Sequence, residues 1–202
     1  MEDLCCHSTA LRSRARRPQL KRDPLGCRRP PYSYLDWPIG IGEMSAIECR
    51  EADLTDVDEL ARIRATEWGT QPYWQTRISG YMRGELHPRE SLPPRVVLLA
   101  SANDIILGFI AGHLTRRFGC EGEIEWLNVV PARRRTGVAA ALFHALTTWF
   151  GSRQARRVCV DVNPHNAPAR AFYRHHGAQD LNPHWLVWPD ITAVAHDRVR
   201  PA

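Results

Sequence analysis

Three β-rich runs stand in succession, residues 95–101 (RVVLLAS), 105–117 (IILGFIAGHLTRR) and 123–130 (EIEWLNVV), separated only by Ala102, Asn103 and Asp104 and by the turn FGCEG. Connections this short reverse the chain rather than cross over, so the runs predict a three-stranded antiparallel meander. The other elements have to be arranged around it. Ahead of it, AIECREA alternates like a short strand, and LTDVDELARIRATEW sets Val57, Leu60, Ala61 and Arg64 at helical spacing, with Thr55 and Asp58 as its start signal. A second helix is expected over residues 72–86, opened by Pro72. Beyond it, GVAAALFHALTTWFG predicts a helix with Val138, Leu142, Ala145 and Trp149 along one stripe and Gly151 as its stop. RVCVDV reads as a short buried strand, NAPARAFYRHHG as a short helix closed by Gly177, and HWLVW as a last strand. The order β-α-α-β-β-β-α-β-α-β implies an α/β (α+β) domain: a mixed, mostly antiparallel sheet with helices on both faces.

At 202 residues and 44% hydrophobic, the chain can bury one substantial core. Of its net charge of +5, residues 1–43 carry +3, so the remainder is too weakly basic to suggest a nucleic-acid surface. That first segment is rich in Arg and Pro and lacks a signal-type apolar core; we expect a disordered basic extension. A transit peptide, a natural start at Met44 and a basic arm for acidic partners are the alternatives. Residues 44–192 are then the domain and 193–202 a tail. The six cysteines have irregular spacing with no C-x-x-C, which points to reduced thiols and a cytoplasmic setting. No apolar run approaches the roughly 18 residues of a membrane helix. His165, His175 and His176 have no carboxylate or thiol spaced to complete a metal site, so no metal is expected.

The chemistry concentrates in VVPARRRTGVAAAL. A strand feeds a turn of three arginines, and a glycine then opens a helix of small residues. Backbone N–H groups of a first helical turn have no partner inside the helix and sit at its positive end, so this turn can hold phosphate. Neither common nucleotide loop is present.

With Arg134, Arg135, Thr136, Gly137, Val138 and Ala139 in a strand-to-helix turn after Val129 and Pro131, and with Asn166, Ala169, Phe172, Tyr173 and Gly177 downstream, the chain resembles the GCN5-related N-acetyltransferase (GNAT) family. The departures are small: Arg135 stands where glycine is frequent, and Ala178 replaces a phenylalanine. The resemblance covers about residues 46–191. It implies acetyl-CoA as co-substrate, with its pyrophosphate on the residues from Arg134 to Ala139, and direct acetyl transfer to a primary amine of a small molecule or peptide.

It also implies roles. Backbone N–H groups around Leu127, Asn128 and Val129 would meet the thioester oxygen. Tyr173 would reprotonate the CoA sulfur, its phenol pKa of about 10 being suited to an alkyl thiolate. Asn166 and Phe172 would lie along the cofactor, although an asparagine before a helix is also an ordinary N-cap. Glu123, which occupies the glutamate position frequent in the family, or Glu125 would take the amine proton, directly or through water; two residues apart on one strand, they should share a face. Trp68, Tyr73, Trp74 and Trp185 could line an acceptor pocket, with Glu67 as the acid that draws a cationic amine. A homodimer stays open. A catalytically silent acyl-CoA sensor is the alternative reading.

Overall fold

The computed structural model describes residues 46–196. The expectations for residues 1–43, and for the tail beyond residue 196, lie outside the described residues. Its elements are β1 (Glu48–Glu51), α1 (Val57–Ala65), α2 (Gln71–Arg83), β2 (Ser91–Ala102), β3 (Ile105–Thr115), β4 (Gly122–Val129), α3 (Val138–Ser152), β5 (Val158–Asp161), α4 (Ala167–His175), β6 (Gln179–Asp180), β7 (Trp185–Trp188) and α5 (Thr192–His196). The seven strands form one sheet in the order β1-β2-β3-β4-β5-β7-β6. Every neighbouring pair is antiparallel except β4 and β5.

The expected meander is present as β2, β3 and β4. Asn103 and Asp104, at φ 51° and 60°, make the two-residue turn between β2 and β3. Asn and Asp tolerate this left-handed region, and such turns match the twist of a hairpin. Side chains along β2 alternate between faces. Val96, Leu98 and Ala100 join the core under α3, whereas Val97 and Leu99 point to the other face. There the aromatic side chains of α2, Trp74 and Tyr81, pack on Trp126 of β4.

Local details differ from the sequence expectations for identifiable reasons. The approach to α1 is capped by Asp53, whose carboxylate accepts from Thr55 N–H at 2.7 Å while Asp56 accepts from Asp53 N–H at 2.9 Å, so Thr55 is not the cap. Helix α2 stops at Arg83 because the Gly84 N–H bonds back to Gly80 and Tyr81. Helix α3 runs through Gly151 to Ser152. Its buried face carries Val138, at 1% exposed, and Leu142, Phe143, Leu146 and Phe150, all 0% exposed, while Ala145 and Trp149 lie at the margin. Each such side chain contributes roughly 1.5–3 kcal/mol by leaving water. The two-residue strand β6 carries too little pattern to be read from sequence.

One irregularity shapes the site. Ala111 pairs with Trp126 and Gly112 with Ile124, so Glu125 is an extra residue on β4. This bulge bends the strand and re-aims its side chains.

Candidate active site

Strand β4 pairs with β5 only through Gly122, Glu123 and Ile124, opposite Val158, Cys159 and Val160. Beyond that point the two strands separate, and residues 125–129 have no strand partner on this edge among the described residues. The hydrogen bond from Val130 N–H to Leu107 O at 2.9 Å sets the phase of the β3–β4 ladder. Alternation then turns the N–H groups of Leu127 and Val129 toward the gap and that of Asn128 toward β3. Arg134 Nε, donating to Val129 O at 3.4 Å from beyond the strand, fits this phase. Of the three residues singled out, Leu127 and Val129 therefore present free backbone donors. Asn128 instead buries its side chain and accepts from Arg64 at 3.2 Å.

The turn after β4 is open to solvent at Arg134, Arg135, Thr136 and Gly137, and closes onto the core at Val138, with Ala139 half-buried. Gly137 caps α3 at φ 91° and ψ −10°, and no side chain caps the helix. A Cβ on Gly137 would meet nothing within 4 Å, so backbone conformation, and not protein crowding, demands glycine here. Arg135, at φ 63°, adopts the same left-handed region, which explains the glycine frequent there in the family. Thr136 Oγ1 donates to Arg133 O at 2.7 Å and ties the turn together. Arg134 ion-pairs with Glu67. Glu67 is thereby occupied at the turn and lies outside the acceptor cleft, contrary to expectation.

That cleft, of about 680 Å³, opens on the α1–α2 face. The four aromatic residues expected to form it, Trp68, Tyr73, Trp74 and Trp185, all line it, joined by Trp126. Both predicted acids line it as well, but their surroundings differ sharply. Glu123 is 4% exposed and accepts from Arg117 Nε at 2.9 Å and from Thr115 Oγ1 at 3.2 Å. Burial pushes its carboxyl up, but the His113 and Arg117 contacts outweigh this and hold it below the ordinary glutamate range. Glu125 is half-buried, and no hydrogen bond reaches its carboxylate among the described residues. Burial and the neighbouring Glu123 charge raise it above that range, opposed by His113, Arg77 and Arg117.

Behind the acids, Tyr81 Oη donates to Gly112 O at 2.8 Å, which assigns the proton of the 3.1 Å Tyr81–His113 contact to His113 Nδ1. His113 Nε2 then faces Glu123 at 3.7 Å, an electrostatic contact too long for a hydrogen bond. These two groups and Glu125 bring three ligand atoms within 4.8 Å, a set that could hold a cation. Arg117 supplies the positive charge there. His165 and His175 are exposed, and His176 Nδ1 lies 2.8 Å from Phe172 O.

Tyr173 is on α4, on the opposite face from Glu125. It is 5% exposed, with Phe172 and Trp188 at ring distances of 5.3 and 5.6 Å. No hydrogen bond to its hydroxyl forms among the described residues. Burial raises the phenol well above its ordinary value, partly offset by the Arg64 charge, so the match to an alkyl thiolate expected from the ordinary phenol value does not hold in the free protein, where the group stays protonated. Arg64 stacks over Trp74 at 4.7 Å, and its buried Nε has no acceptor among the described residues. Asn166 Oδ1 accepts from Ala169 N–H at 3.2 Å, so it is an N-cap of α4. Arg64, Arg77 and Arg117 were not identified from the sequence. Arg64 was legible only as a helix-face residue, and Arg117 only as the end of a strand.

The model of the Acetyltransferase (GNAT) family matches residues 57–178. The chain belongs to this family. It is 32% identical over 129 residues to the mycothiol acetyltransferase of Clavibacter michiganensis subsp. michiganensis (strain NCPPB 382), covering 62% of this chain and 40% of that one. The chain thus spans about two fifths of that relative's length. Among solved structures, this GNAT chain is similar to a GNAT-family acetyltransferase from Desulfovibrio desulfuricans (TM-score 0.58, 16% identity, 72% of this chain and 99% of that one). It is also similar to Ard1 from Thermoplasma volcanium (0.55, 21%, 71% and 95%). A third is the PaiA N-acetyltransferase of Thermoplasma acidophilum in complex with coenzyme A (0.52, 15%, 71% and 97%). At these identities the likeness is one of fold. No helix among the described residues is long and apolar enough to cross a membrane.

Proposed function

We propose that this GNAT acetyltransferase moves the acetyl group of acetyl-CoA to a primary amine of a small molecule or peptide by direct attack, and that residues 44–192 are the unit that does so. The observation that carries the reading is the gap beside β4. Its edge carries the Leu127 and Val129 N–H groups, which have no strand partner there among the described residues, and we assign to it the half-buried Glu125 carboxylate as base and the buried Tyr173 phenol as acid. The CoA-bound fold neighbour supports the choice of acyl donor.

The residues fit a pyrophosphate at Gly137, Val138 and Ala139, where uncapped N–H groups and the helix dipole favour an anion and the glycine leaves room for close approach. Acetyl-CoA supplies a thioester whose carbonyl carbon accepts the nucleophile. Leu127 and Val129 N–H stabilise the negative charge that develops on its oxygen. Glu125 takes a proton from the substrate ammonium, freeing the lone pair. The nitrogen–carbon bond would form first, moving the carbonyl electron pair onto oxygen, and the carbon–sulfur bond would break as that pair returns. Tyr173 gives its proton to the departing sulfur, and the second proton leaving nitrogen restores Tyr173 through water. One proton passes to solvent, so ammonium and thioester become amide, thiol and a proton. Glu125 suits the base role better than Glu123, which Arg117 and Thr115 hold in its ionised, hydrogen-bonded form.

Kinetics of Tyr173→Phe test the reading. Turnover should fall about 10²-fold, within the span usual for a positioned acid, while acetyl-CoA affinity by calorimetry stays within about twofold. Unchanged turnover would remove Tyr173 as the acid.

A further inference from the structure

The charge lining the acceptor cleft is balanced. Three arginines, Arg64, Arg77 and Arg117, stand among three carboxylates, Glu123, Glu125 and Asp161. A cleft built for a polyamine would carry an acidic surplus and one for a phosphorylated acceptor a basic surplus. Most of these charges are already engaged. Arg117 donates to Glu123 and lies 4.7 Å over Trp185. Arg64 donates to Asn128 and lies over Trp74. Asp161 is exposed at the rim, 3.9 Å from His184 and too far for a hydrogen bond. Because arginines cover the Trp74 and Trp185 rings, an incoming ammonium finds no aromatic cage there and must be met by a carboxylate.

Two opposite, half-buried charges are left without a hydrogen bond among the described residues. Glu125 accepts no hydrogen bond, and Arg77, half-buried on α2, makes no hydrogen bond or ion pair among the described residues; its guanidinium only flanks the Tyr73 ring at 5.8 Å. Arg77 lies close enough to Glu125 for its charge to act on that carboxyl. At the mouth, Trp68 and Tyr73 are 56% and 42% exposed, with ring centroids 5.6 Å apart, an apolar surface beside this pair.

We infer that the acceptor is an amino acid, its ammonium directed to Glu125, its carboxylate to Arg77 and an apolar or aromatic side chain against Trp68 and Tyr73. The inference rests on the N-acetyltransferase reading above and names its substrate class. Arginine is suited to the task because its planar fork matches a carboxylate in two parallel hydrogen bonds. Arg77 is then a specificity residue, discriminating through binding rather than through the chemical step.

The test compares acceptors that differ only in the carboxylate. Phenylalanine, phenylalaninamide and phenethylamine, and likewise tryptophan and tryptamine, would be assayed with saturating acetyl-CoA by mass spectrometry of the N-acetyl product. The free amino acids should show kcat/KM at least about tenfold above their carboxylate-free partners, with the difference in KM. In Arg77→Gln that ratio should collapse toward one, and Arg77→Lys should restore part of it. Equal or faster acetylation of the carboxylate-free amines by the wild-type protein would overturn this inference alone. So would an equal loss on both kinds of acceptor in Arg77→Gln. Absence of acetylation on every amine would overturn it together with the transferase reading on which it rests.

Discussion

Glu123 and Glu125 are neighbours on one strand, yet their surroundings assign them different work. Arg117, from the turn after β3, and Thr115 hold Glu123 as a structural anion. Glu125, the inserted residue of the bulge, keeps its carboxylate unengaged beside the cleft. Replacing each by glutamine separates the roles. Glu125→Gln should lower kcat/KM about 10²–10³-fold and remove its acid limb, which in the wild type should lie above the ordinary glutamate range because burial raises this carboxyl. Glu123→Gln should instead cost about 1–3 kcal/mol of stability, seen as a lower Tm at neutral pH, by weakening the acceptor for Arg117. The signs follow from linkage. A carboxyl lowered in the folded state stabilises above its unfolded pKa, and that contribution is lost as pH falls through its folded value, so the Tm deficit of Glu123→Gln should shrink in acid. A raised carboxyl costs stability once ionised, so Glu125→Gln should melt no lower than wild type at neutral pH. Both acids are legible in the sequence, and the family resemblance favours Glu123; the surroundings favour Glu125 instead, because the deciding partners, Arg117 and His113, lie on other segments.

Among the elements, the strand–turn–helix from β4 to α3 was the part most readable in advance, because a phosphate-holding turn demands local features: a glycine, small residues and no side-chain cap. Gly137 carries the greatest constraint, since φ 91° is open to glycine and strained for a β-branched residue. Gly137→Val should weaken acetyl-CoA binding at least about tenfold by calorimetry, well beyond Arg133→Ala, whose position lies before the helix opening. Comparable losses in the two variants would shift the emphasis from backbone to charge. What the sequence concealed at this scale came from tertiary packing. The face that α3 buries takes in Val138 and Leu142 of the expected stripe but is centred on Phe143, Leu146 and Phe150, with Trp149 at its margin, and the bulge at Glu125 leaves no local composition signal. The ion pair of Glu67 was hidden for the same reason: its partner, Arg134, is 67 residues away.

In the molecule as a whole, function follows from one interruption of an otherwise continuous sheet. The order of strands and helices in the sequence was sufficient to anticipate a mostly antiparallel sheet covered on both faces. The meander and the single parallel pair, β4 with β5, place two strand ends side by side. Where they part, the edge of β4 from Glu125 to Val129 is left without a strand partner among the described residues. The separation itself was not readable, because it depends on how far a four-residue strand stays in register with an eight-residue one. The central claim is that this gap transfers acetyl groups directly to an amine. The most direct measurement is stoichiometric: purified protein, acetyl-CoA and an amine panel, with released thiol and N-acetylated product counted in the same reaction. One thiol should be released per amide formed. Acetyl-CoA raising the Tm with neither thiol release nor acetylated amine across the panel would contradict it, and would identify a binding module in place of an enzyme.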